Sequence, residues 1–353
     1  MARSGWARAF AAAALLTLLA APGALAQVCP LPAWTAGPTF GTDAYGVAVT
    51  NAAGLIYEAG GYSFSAAGNI NQFKSYNPAT NTWTALAPLP TATAISSLVY
   101  DAVGGRLFLF GGNTAPATVT NITQVYTIAT NTWAPGPNLP DFRSFMASGV
   151  LPTGMIHLVA GYSTGNISPA FNTNWQFNPV TGIFTTKAVL PATLGGAAAA
   201  VSGGRLYVMG GRTDTNAIVN TNYEYDPVAD VWATKATLPT SVNVAGGAAL
   251  SGTPACTGDV IVAGGGTPFA GMEAFPDPAR TPDALNITQL YDVATNTWSA
   301  GPAMTAARAF VNSAQATDTL LVVGGYNGTT TVNTTDRIAG PPLPVSLNGF
   351  TVE

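Results

Sequence analysis

Charged residues are scarce in this sequence, and lysine, histidine and cysteine are scarcer still. Charged side chains account for 8% of the 353 residues, whereas an average globular protein has roughly 25%. Only three lysines occur, at positions 74, 187 and 235, and no basic run is present. Because nucleic-acid binding requires clustered positive charge, we expect no nucleic-acid partner. The shortage of Glu and Lys also disfavours a fold of helices stabilised by ion pairs.

The few potential metal ligands disfavour metal-dependent chemistry. The single histidine, His157, cannot form a typical zinc or copper site by itself, because such sites combine several ligands. No pair of nucleophile and base stands out, and no glycine-rich loop precedes a helix as in a phosphate site. The sequence therefore predicts no metal and no cofactor, and it favours a non-enzymatic protein.

The longest apolar run lies near the N-terminus. Residues 1–26 combine two arginines, an apolar stretch of 13 residues from Ala9 to Ala21, and the small-residue pattern Ala24-Leu25-Ala26. This order is typical of a signal peptide that is cleaved after Ala26. The apolar stretch is shorter than the ~20 residues that span a membrane. We expect a secreted, extracellular protein without a membrane span, either free or attached to the cell surface.

Glycine and proline, in contrast, are abundant, with 39 and 26 residues. An apolar run that ends in a pair of small residues occurs six times, at spacings of 49 to 60 residues. The six copies are LIYEAGG (55–61), RLFLFGG (106–112), MIHLVAG (155–161), RLYVMGG (205–211), VIVAGG (260–265) and TLLVVGG (319–325). A period of about 50 residues allows four short strands per repeat.

A second pattern follows each of the first five copies and consists of two aromatic positions separated by a turn. The five copies are YNPATNTW (76–83), YTIATNTW (126–133), FNPVTGIF (177–184), YDPVADVW (225–232) and YDVATNTW (291–298). Asn or Asp before Pro starts a type I turn, and Asn or Gly near its end tolerates left-handed backbone. Each repeat is therefore predicted to contain strands a to d. In the second repeat, a lies near 93–100, b at 106–111 and c at 122–128, and d begins at Trp133.

These patterns resemble the repeats of kelch proteins, whose propellers include the central domain of galactose oxidase. The resemblance implies an all-β fold, a six-bladed β-propeller over residues 27–340 with four antiparallel strands per blade. With the leader, the chain is similar to secreted bacterial members of the family. The aromatic residues of strand d would fill the space between neighbouring blades. These repeat anchors are Trp83, Trp133, Phe184, Trp232 and Trp298.

The two ends of the chain are predicted to complete one blade together. The sixth repeat has a strand b (319–324) and a strand c (331–338) but no d strand with a tryptophan. The segment around Trp34 resembles the d strand around Trp298, so Trp34 is expected to be the sixth anchor. An N-terminal d strand would then close the ring and remove an exposed sheet edge.

Ring closure also brings the two cysteines to neighbouring blades. It places Cys29 beside the outer strand of blade 6 and Cys256 in the a–b turn of blade 5. In an oxidising compartment such neighbours can form a disulfide. Two separate thiols are the alternative.

Four side chains are predicted to gather on one face of the propeller. Successive strands alternate in direction, so the b–c and d–a loops emerge on the same face. Tyr62, Tyr162 and Tyr326 follow the small pairs of three repeats, and Arg212 follows a fourth. Aromatic rings beside a channel mouth can stack on sugar rings. Alternatively, these side chains pack against neighbouring loops.

Two further arginines and one long loop belong to the same predicted face. Arg143 and Arg308 lie at the start of strand a, where they could bind an anionic ligand or hydrogen-bond to loop carbonyls. The b–c loop of blade 5 contains an insertion (267–286) that includes Glu273 and Arg280. Long loops on rigid scaffolds often carry function, although a tolerated surface insertion explains this loop equally well.

The lack of a catalytic cluster favours a monomeric recognition or adhesion module that binds an extracellular protein or glycan through the b–c/d–a face. The competing hypothesis is a carbohydrate-active enzyme similar to kelch-type sugar mutarotases or epimerases. A copper radical oxidase is disfavoured, because its histidine ligands and its tyrosine–cysteine pair are lacking. The Pro-rich tail (341–353) resembles the lead-in to a missing C-terminal sorting domain. An additional edge strand is the alternative there.

Overall fold

The computed structural model describes residues 29–339, apart from 116–117, 165–168, 252–255, 257 and 268–282. The predicted signal peptide, the C-terminal tail, Glu273 and Arg280 lie outside these residues. The regular secondary structure of the described segments consists of strands and turns. No helix found in them is long and apolar enough to cross a membrane.

Six four-stranded antiparallel sheets follow one another around a ring and form the blades of a propeller. The chain begins with the short strand β1 (Thr35–Gly37). Blade 1 contains β2 (Ala48–Ala52), β3 (Leu55–Ala59), the hairpin β4 (Tyr62–Ser63) and β5 (Gly68–Asn69), β6 (Phe73–Asn77) and β7 (Thr82–Ala85). Blade 2 contains β8 (Ser97–Asp101), β9 (Arg106–Phe110), the hairpin β10 (Asn113–Ala115) and β11 (Thr118–Val119), β12 (Thr123–Thr127) and β13 (Thr132–Pro135).

The next three blades repeat this order. Blade 3 contains β14 (Ala147–Val150), β15 (Ile156–Val159), β16 (Asn174–Asn178) and β17 (Ile183–Thr186). Blade 4 contains β18 (Ala198–Ser202), β19 (Arg205–Met209), β20 (Asn222–Asp226) and β21 (Val231–Thr234). Blade 5 contains β22 (Gly246–Ala249), β23 (Val260–Ala263), the hairpin β24 (Gly266–Thr267) and β25 (Asp283–Ala284), β26 (Thr288–Asp292) and β27 (Thr297–Ala300). The first strand of each blade contacts the first strand of the next, so these inner strands surround a central channel.

The last blade is completed by the N-terminal strand, as the sequence predicts. Blade 6 contains β28 (Asn312–Ala316), β29 (Thr319–Val323) and β30 (Thr335–Ala339), and β1 pairs with the outer edge of β30. In this register Thr35 lies opposite Arg337, and Gly37 lies opposite Thr335. Trp34 is buried, and its Nε1 donates to Thr288 Oγ1 of blade 5 at 2.9 Å. The predicted six-bladed ring and its closure are confirmed.

The small-residue pairs connect each blade to the next one. Gly60 has φ +65°, and a Cβ at this position would overlap the carbonyl oxygen of Thr93 in blade 2. The N–H of Gly61 donates to that carbonyl at 2.9 Å. The second residue of every pair makes the equivalent bond, at 2.7 to 2.9 Å, to the d–a loop of the following blade. The glycines are therefore required by both left-handed backbone and close approach.

The aromatic–turn–aromatic hairpins also reach across the gaps between blades. In blade 2, Asn131 has φ +54°, and its Oδ1 accepts hydrogen bonds from Tyr126 Oη at 2.8 Å and from the Ala87 N–H of blade 1 at 2.9 Å. Trp133 Nε1 donates to the Ala87 carbonyl at 2.8 Å. Blades 4 and 5 repeat this arrangement through Asp230 with Trp232 and Asn296 with Trp298.

Cys29 and Cys256 form a disulfide, with their Cα atoms 4.8 Å apart. Both cysteines are buried in one apolar cluster together with Trp34. The bond ties the segment ahead of β1 to the connection between β22 and β23. It therefore links the closing strand to blade 5 as well as to blade 6.

Candidate functional site

The structure places the residues that follow the small pairs on the b–c/d–a face. Tyr62, Tyr162, Arg212 and Tyr326 occupy equivalent positions, and each forms an antiparallel bridge with the d–a loop of its own blade. Their bridge partners are Tyr45, Ser144, Gly195 and Ala309. These bridges place the four residues beside the d–a loops of their own blades.

Five of the six predicted ligand-binding side chains in the described residues are buried. Tyr162, Tyr326, Arg143, Arg212 and Arg308 are all at most 3% exposed. They fill the spaces between loops, so they do not present a surface that a ligand could contact directly. Tyr62 is half-buried and is the only member of the predicted set in the described residues that reaches the surface. Tyr162, Arg212 and Tyr326 fit the alternative of packing against neighbouring loops. For Arg143 and Arg308 the alternative is hydrogen bonding to loop carbonyls.

Arg308 shows what these buried arginines do. Its Nη1 donates to the carbonyl oxygens of Thr334 at 2.7 Å and Gly324 at 3.2 Å. Its Nε lies 3.4 Å from the carboxylate of the buried Asp336. Burial lowers the pKa of Arg308, and Asp336 opposes that shift. Arg308 thus holds the b–c loop of blade 6 in place.

Arg143 occupies the equivalent position in blade 3. Its guanidinium lies 3.6 Å from the ring centroid of Phe171 and 4.7 Å from that of Trp175. Nη2 is 3.3 Å from the carboxylate of Asp141. Burial lowers the pKa of Arg143 to about 10, so the side chain remains charged at neutral pH. Its role is a cation–π contact inside the blade.

The tyrosines instead belong to an aromatic cap, which we define as Tyr45, Tyr62, Phe64, Phe145, Tyr162, Phe310 and Tyr326. The Tyr45 ring centroid lies 5.5 Å from that of Tyr62 and 5.1 Å from that of Phe310. Further contacts of 5.5 to 6.3 Å join the remaining rings into one network. Edge-on and tilted packing of this kind adds stability beyond simple burial.

Four members of the cap were not predicted from the sequence, namely Tyr45, Phe64, Phe145 and Phe310. Two of them carried a signal, because Phe145 and Phe310 each follow an arginine by two residues in blades on opposite sides of the ring. Tyr45 and Phe64 belong to loops in which no repeat pattern marks them. Phe64 and Phe145 are half-buried, as Tyr62 is, so these three rings form the accessible part of the cap.

A ring of main-chain hydrogen bonds supports the cap at the mouth of the channel. One residue from each d–a loop has φ between +51° and +66°: Gly46, Ile95, Phe145, Gly196, Val244 and Phe310. Main-chain N–H groups donate from each loop to the previous one around the circle, at 2.7 to 3.3 Å. Bulky residues in this conformation cost about 1–3 kcal/mol each and persist only where the surroundings hold them. These six residues line a depression on the propeller axis.

Two cavities lie on the propeller axis. A small depression of about 60 Å³ is lined by residues of the d–a loops, Phe145 and Phe310 among them. A larger cavity of about 440 Å³ is the channel itself, and it is lined by all six inner strands. Among the described residues that line either cavity, none is Asp, Glu, His, Lys or Arg.

The ionisable groups of the described residues form no catalytic cluster at the cap. His157 is buried between blades 3 and 4, with Nδ1 2.8 Å from Asn174 Oδ1, and burial lowers its pKa. Asp43, beside the cap, accepts hydrogen bonds from Ser63, Ser65 and Thr331. Burial alone would raise the pKa of Asp43, but these hydrogen bonds lower it. No group of three potential metal ligands occurs in this part of the chain.

Comparisons with known proteins agree with this architecture. Residues 46–266 match the family model of the KLHDC2/KLHL20/DRC7 Kelch-repeats domain. A Kelch domain-containing protein of Sulfurisphaera tokodaii is 34% identical over 116 residues, 30% of this chain and 16% of that protein. Kelch-like protein terF of Aspergillus terreus is 30% identical over 238 residues, 65% of this chain and 48% of that protein. Kelch-like protein 35 of Mus musculus is 27% identical over 164 residues, 46% and 26% of the two chains.

The chain spans less than half the length of these curated relatives. Among solved structures, "Structure of YjhT" superimposes with a TM-score of 0.68 and 16% identity, over 84% of this chain and 95% of that one. This likeness concerns the fold alone. The chain belongs to the kelch-repeat family, as the match of the family model to residues 46–266 and the six repeats that form six blades show.

Proposed function

We propose that this chain is a secreted recognition module that binds another extracellular protein through the b–c/d–a face, with the aromatic cap at the centre of the contact. The observation that carries the proposal is the group of three half-buried rings, Tyr62, Phe64 and Phe145, on a rigid main-chain ring. Aromatic side chains of this kind dominate the energetics of protein interfaces.

The shape of the cap favours a protein partner over a small molecule. The depression above Phe145 and Phe310 measures about 60 Å³, far below the ~300–1,000 Å³ of small-molecule sites. It can accept one protruding apolar side chain. Because the rings are already held by neighbours, binding would immobilise few side chains and lose little entropy. Kelch propellers commonly act as protein-interaction scaffolds, which supports the same conclusion.

Two features support the extracellular setting. The sequence begins with a pattern typical of a signal peptide, and Cys29 and Cys256 form a disulfide. Disulfides persist mainly in oxidising compartments. The sugar-isomerising alternative gains no support from the described residues, because no carboxylate or other charged side chain lines the channel there.

The proposal can be tested by selecting ligands for the purified full chain from a displayed peptide library, with a glycan array screened in parallel. Selected peptides should bind wild-type protein, and Tyr62→Ala or Phe64→Ala should weaken that binding at least tenfold. Val228→Ala is the matched control, because Val228 is 93% exposed on the opposite face. Peptides that respond to Val228→Ala but not to Phe64→Ala would contradict the face assignment. Binding to glycans alone would contradict the protein partner.

A further inference from the structure

The central channel is a cavity on the propeller axis. Its walls come from the six inner strands, and its volume is about 440 Å³. At the b–c/d–a end, Ile95, Phe145, Val244 and Phe310 surround the smaller depression that adjoins the channel. Ser97 and Ala147, farther along the inner strands, are buried. At the a–b turn end, Asn51 and Ala102 are exposed. The channel therefore reaches the surface on the face opposite to the aromatic cap.

The walls of the channel are polar but carry no formal charge in the described residues. The side chains that line it include hydroxyls and amides from several blades: Thr50, Asn51, Ser97, Ser148, Asn312 and Gln315. Some of these groups already have partners within the wall. Ser97 Oγ donates to the Met146 carbonyl at 3.2 Å, and Asn312 Nδ2 donates to the Val47 carbonyl at 2.7 Å.

The inner strands add main-chain groups to this polar surface. Each inner strand is the last strand of its sheet and pairs with a neighbour on one side only. Every second residue of such an edge directs its N–H and C=O away from the sheet, and these groups need hydrogen-bond partners. A ligand in the channel would therefore meet donors and acceptors from all directions.

We propose that the channel binds a small, uncharged polyhydroxyl compound, meaning a free monosaccharide or a sugar alcohol. The volume lies in the range of small-molecule sites, ~300–1,000 Å³. A charged ligand would lose hydration without gaining an opposite charge, and an apolar ligand would leave the wall groups without partners. A polyol supplies both donors and acceptors. The site differs from the protein-binding cap, because Tyr62, Phe64 and Phe145 do not line the channel.

The test uses the full chain with glucose, galactose and mannitol as neutral probes and glucuronate as a charged probe of similar size. Isothermal titration calorimetry should show binding of at least one neutral probe and at least tenfold weaker binding of glucuronate. Ser148→Val should reduce the affinity for the neutral probe at least tenfold. Thr80→Val is the matched control, because Thr80 is exposed on a c–d turn outside the channel.

Two further variants keep the outcome interpretable. If Ser148→Val lowers the melting temperature strongly, Asn51→Leu replaces it, because Asn51 lines the channel and is exposed at its mouth. Phe64→Ala should leave sugar affinity unchanged, which separates this site from the cap. No binding of any neutral probe, equal binding of glucuronate, or unchanged affinity in both channel variants would overturn the proposal.

Discussion

At the scale of single residues, Glu58 departs most clearly from the repeat pattern. The equivalent positions in the other five blades are Leu109, Leu158, Val208, Val262 and Val322. Glu58 is fully buried, and its polar neighbours are Lys74 and Gln72. Burial raises its pKa to about 8, although Lys74 and Gln72 lower it in part. The folded protein therefore holds this carboxyl group protonated at neutral pH.

This pKa shift predicts that the stability of the fold decreases as the pH rises from 4.5 to about 8. The unfolded chain releases the Glu58 proton above pH 4.5 and the folded chain only above about 8. Between these values, the free energy of unfolding should fall by about 1.4 kcal/mol per pH unit from this group. Glu58→Gln should remove that slope, and Glu58→Leu should in addition raise stability at pH 8. Urea unfolding at pH 5, 7 and 9 measures the difference, and equal slopes in wild type and Glu58→Gln would contradict it.

The buried His157 predicts a pH dependence of stability with the opposite sign, namely lower stability at acidic pH. Burial lowers its pKa below the ordinary 6.5, and the hydrogen bond with Asn174 opposes that shift only in part. As the pH falls below 6.5, the unfolded chain takes up a proton before the folded chain does, so stability decreases on acidification. His157→Phe should reduce this acid sensitivity, because blade 2 carries Phe108 at the same position. Thermal unfolding of wild type and His157→Phe at pH 7 and pH 5 tests this prediction. If the melting temperature falls by the same amount between pH 7 and pH 5 in both proteins, the prediction is wrong.

At the scale of secondary structure, the sequence predicted strands b, c and d better than strand a. In blade 2, b, c and d were expected at 106–111, 122–128 and from Trp133, close to the observed β9, β12 and β13. Strand a was expected near 93–100, but β8 covers Ser97–Asp101. The residues ahead of it belong to the d–a loop, where Ile95 has φ +59°. An isoleucine gives no local signal for left-handed backbone, since the closed ring of neighbouring loops imposes that conformation.

The candidate site was less predictable than the fold for a related reason. The direction of strand b fixes the face on which a tyrosine after a glycine pair lies, so the sequence predicts that face. Exposure depends on residues from other repeats, as when the Tyr162 ring fills the space above Gly195 of blade 4. Phe64 is half-buried because Tyr45 and Tyr326 pack beside it. Such contacts join positions far apart in sequence, and the repeat pattern alone does not encode them.

The c–d hairpins allow a direct measurement of coupling between blades. Asn131 accepts one hydrogen bond from its own blade and one from the Ala87 N–H of blade 1. Asn81 of blade 1 also has positive φ and accepts the equivalent bond from Tyr76 Oη at 2.8 Å. No bond to a neighbouring blade is found for Asn81 among the described residues.

Replacement of each asparagine by glycine keeps the left-handed backbone and removes the acceptor. Asn131→Gly should therefore lower the free energy of unfolding by about 1 kcal/mol more than Asn81→Gly does, the typical value of one hydrogen bond. Urea unfolding of the two variants provides the comparison. Equal losses would show that the hydrogen bond between blades adds no stability. Blade 3 carries Gly182 at this position, so the fold tolerates the change.

At the scale of the whole molecule, a propeller is stable only if its last blade stays attached to its first. Three kinds of contact hold this seam. The strand β1 pairs with β30 over three residues, Trp34 is buried against blade 5, and Gly325 N–H donates to the Ala44 carbonyl at 2.8 Å. The sequence predicted the closing strand because the tryptophan missing from repeat six occurs at the other end of the chain. Because β1 pairs with β30 over only three residues, Trp34 and Cys29, which precede β1, provide additional anchors for the closing strand.

The disulfide is the strongest of those anchors, and its removal gives the last prediction. Cys29 and Cys256 are 227 positions apart in sequence, so the bond restricts a very large loop in the unfolded chain and fixes the segment before β1 in the folded one. Removal of a native disulfide typically lowers stability by about 2–5 kcal/mol. The double variant Cys29→Ser with Cys256→Ser should show such a loss in urea unfolding. After reduction by dithiothreitol, the wild type should have the same free energy of unfolding as the double variant. Dithiothreitol should not change the free energy of unfolding of the variant. Equal stability of oxidised wild type and the variant would mean that β1 and Trp34 close the ring without the disulfide.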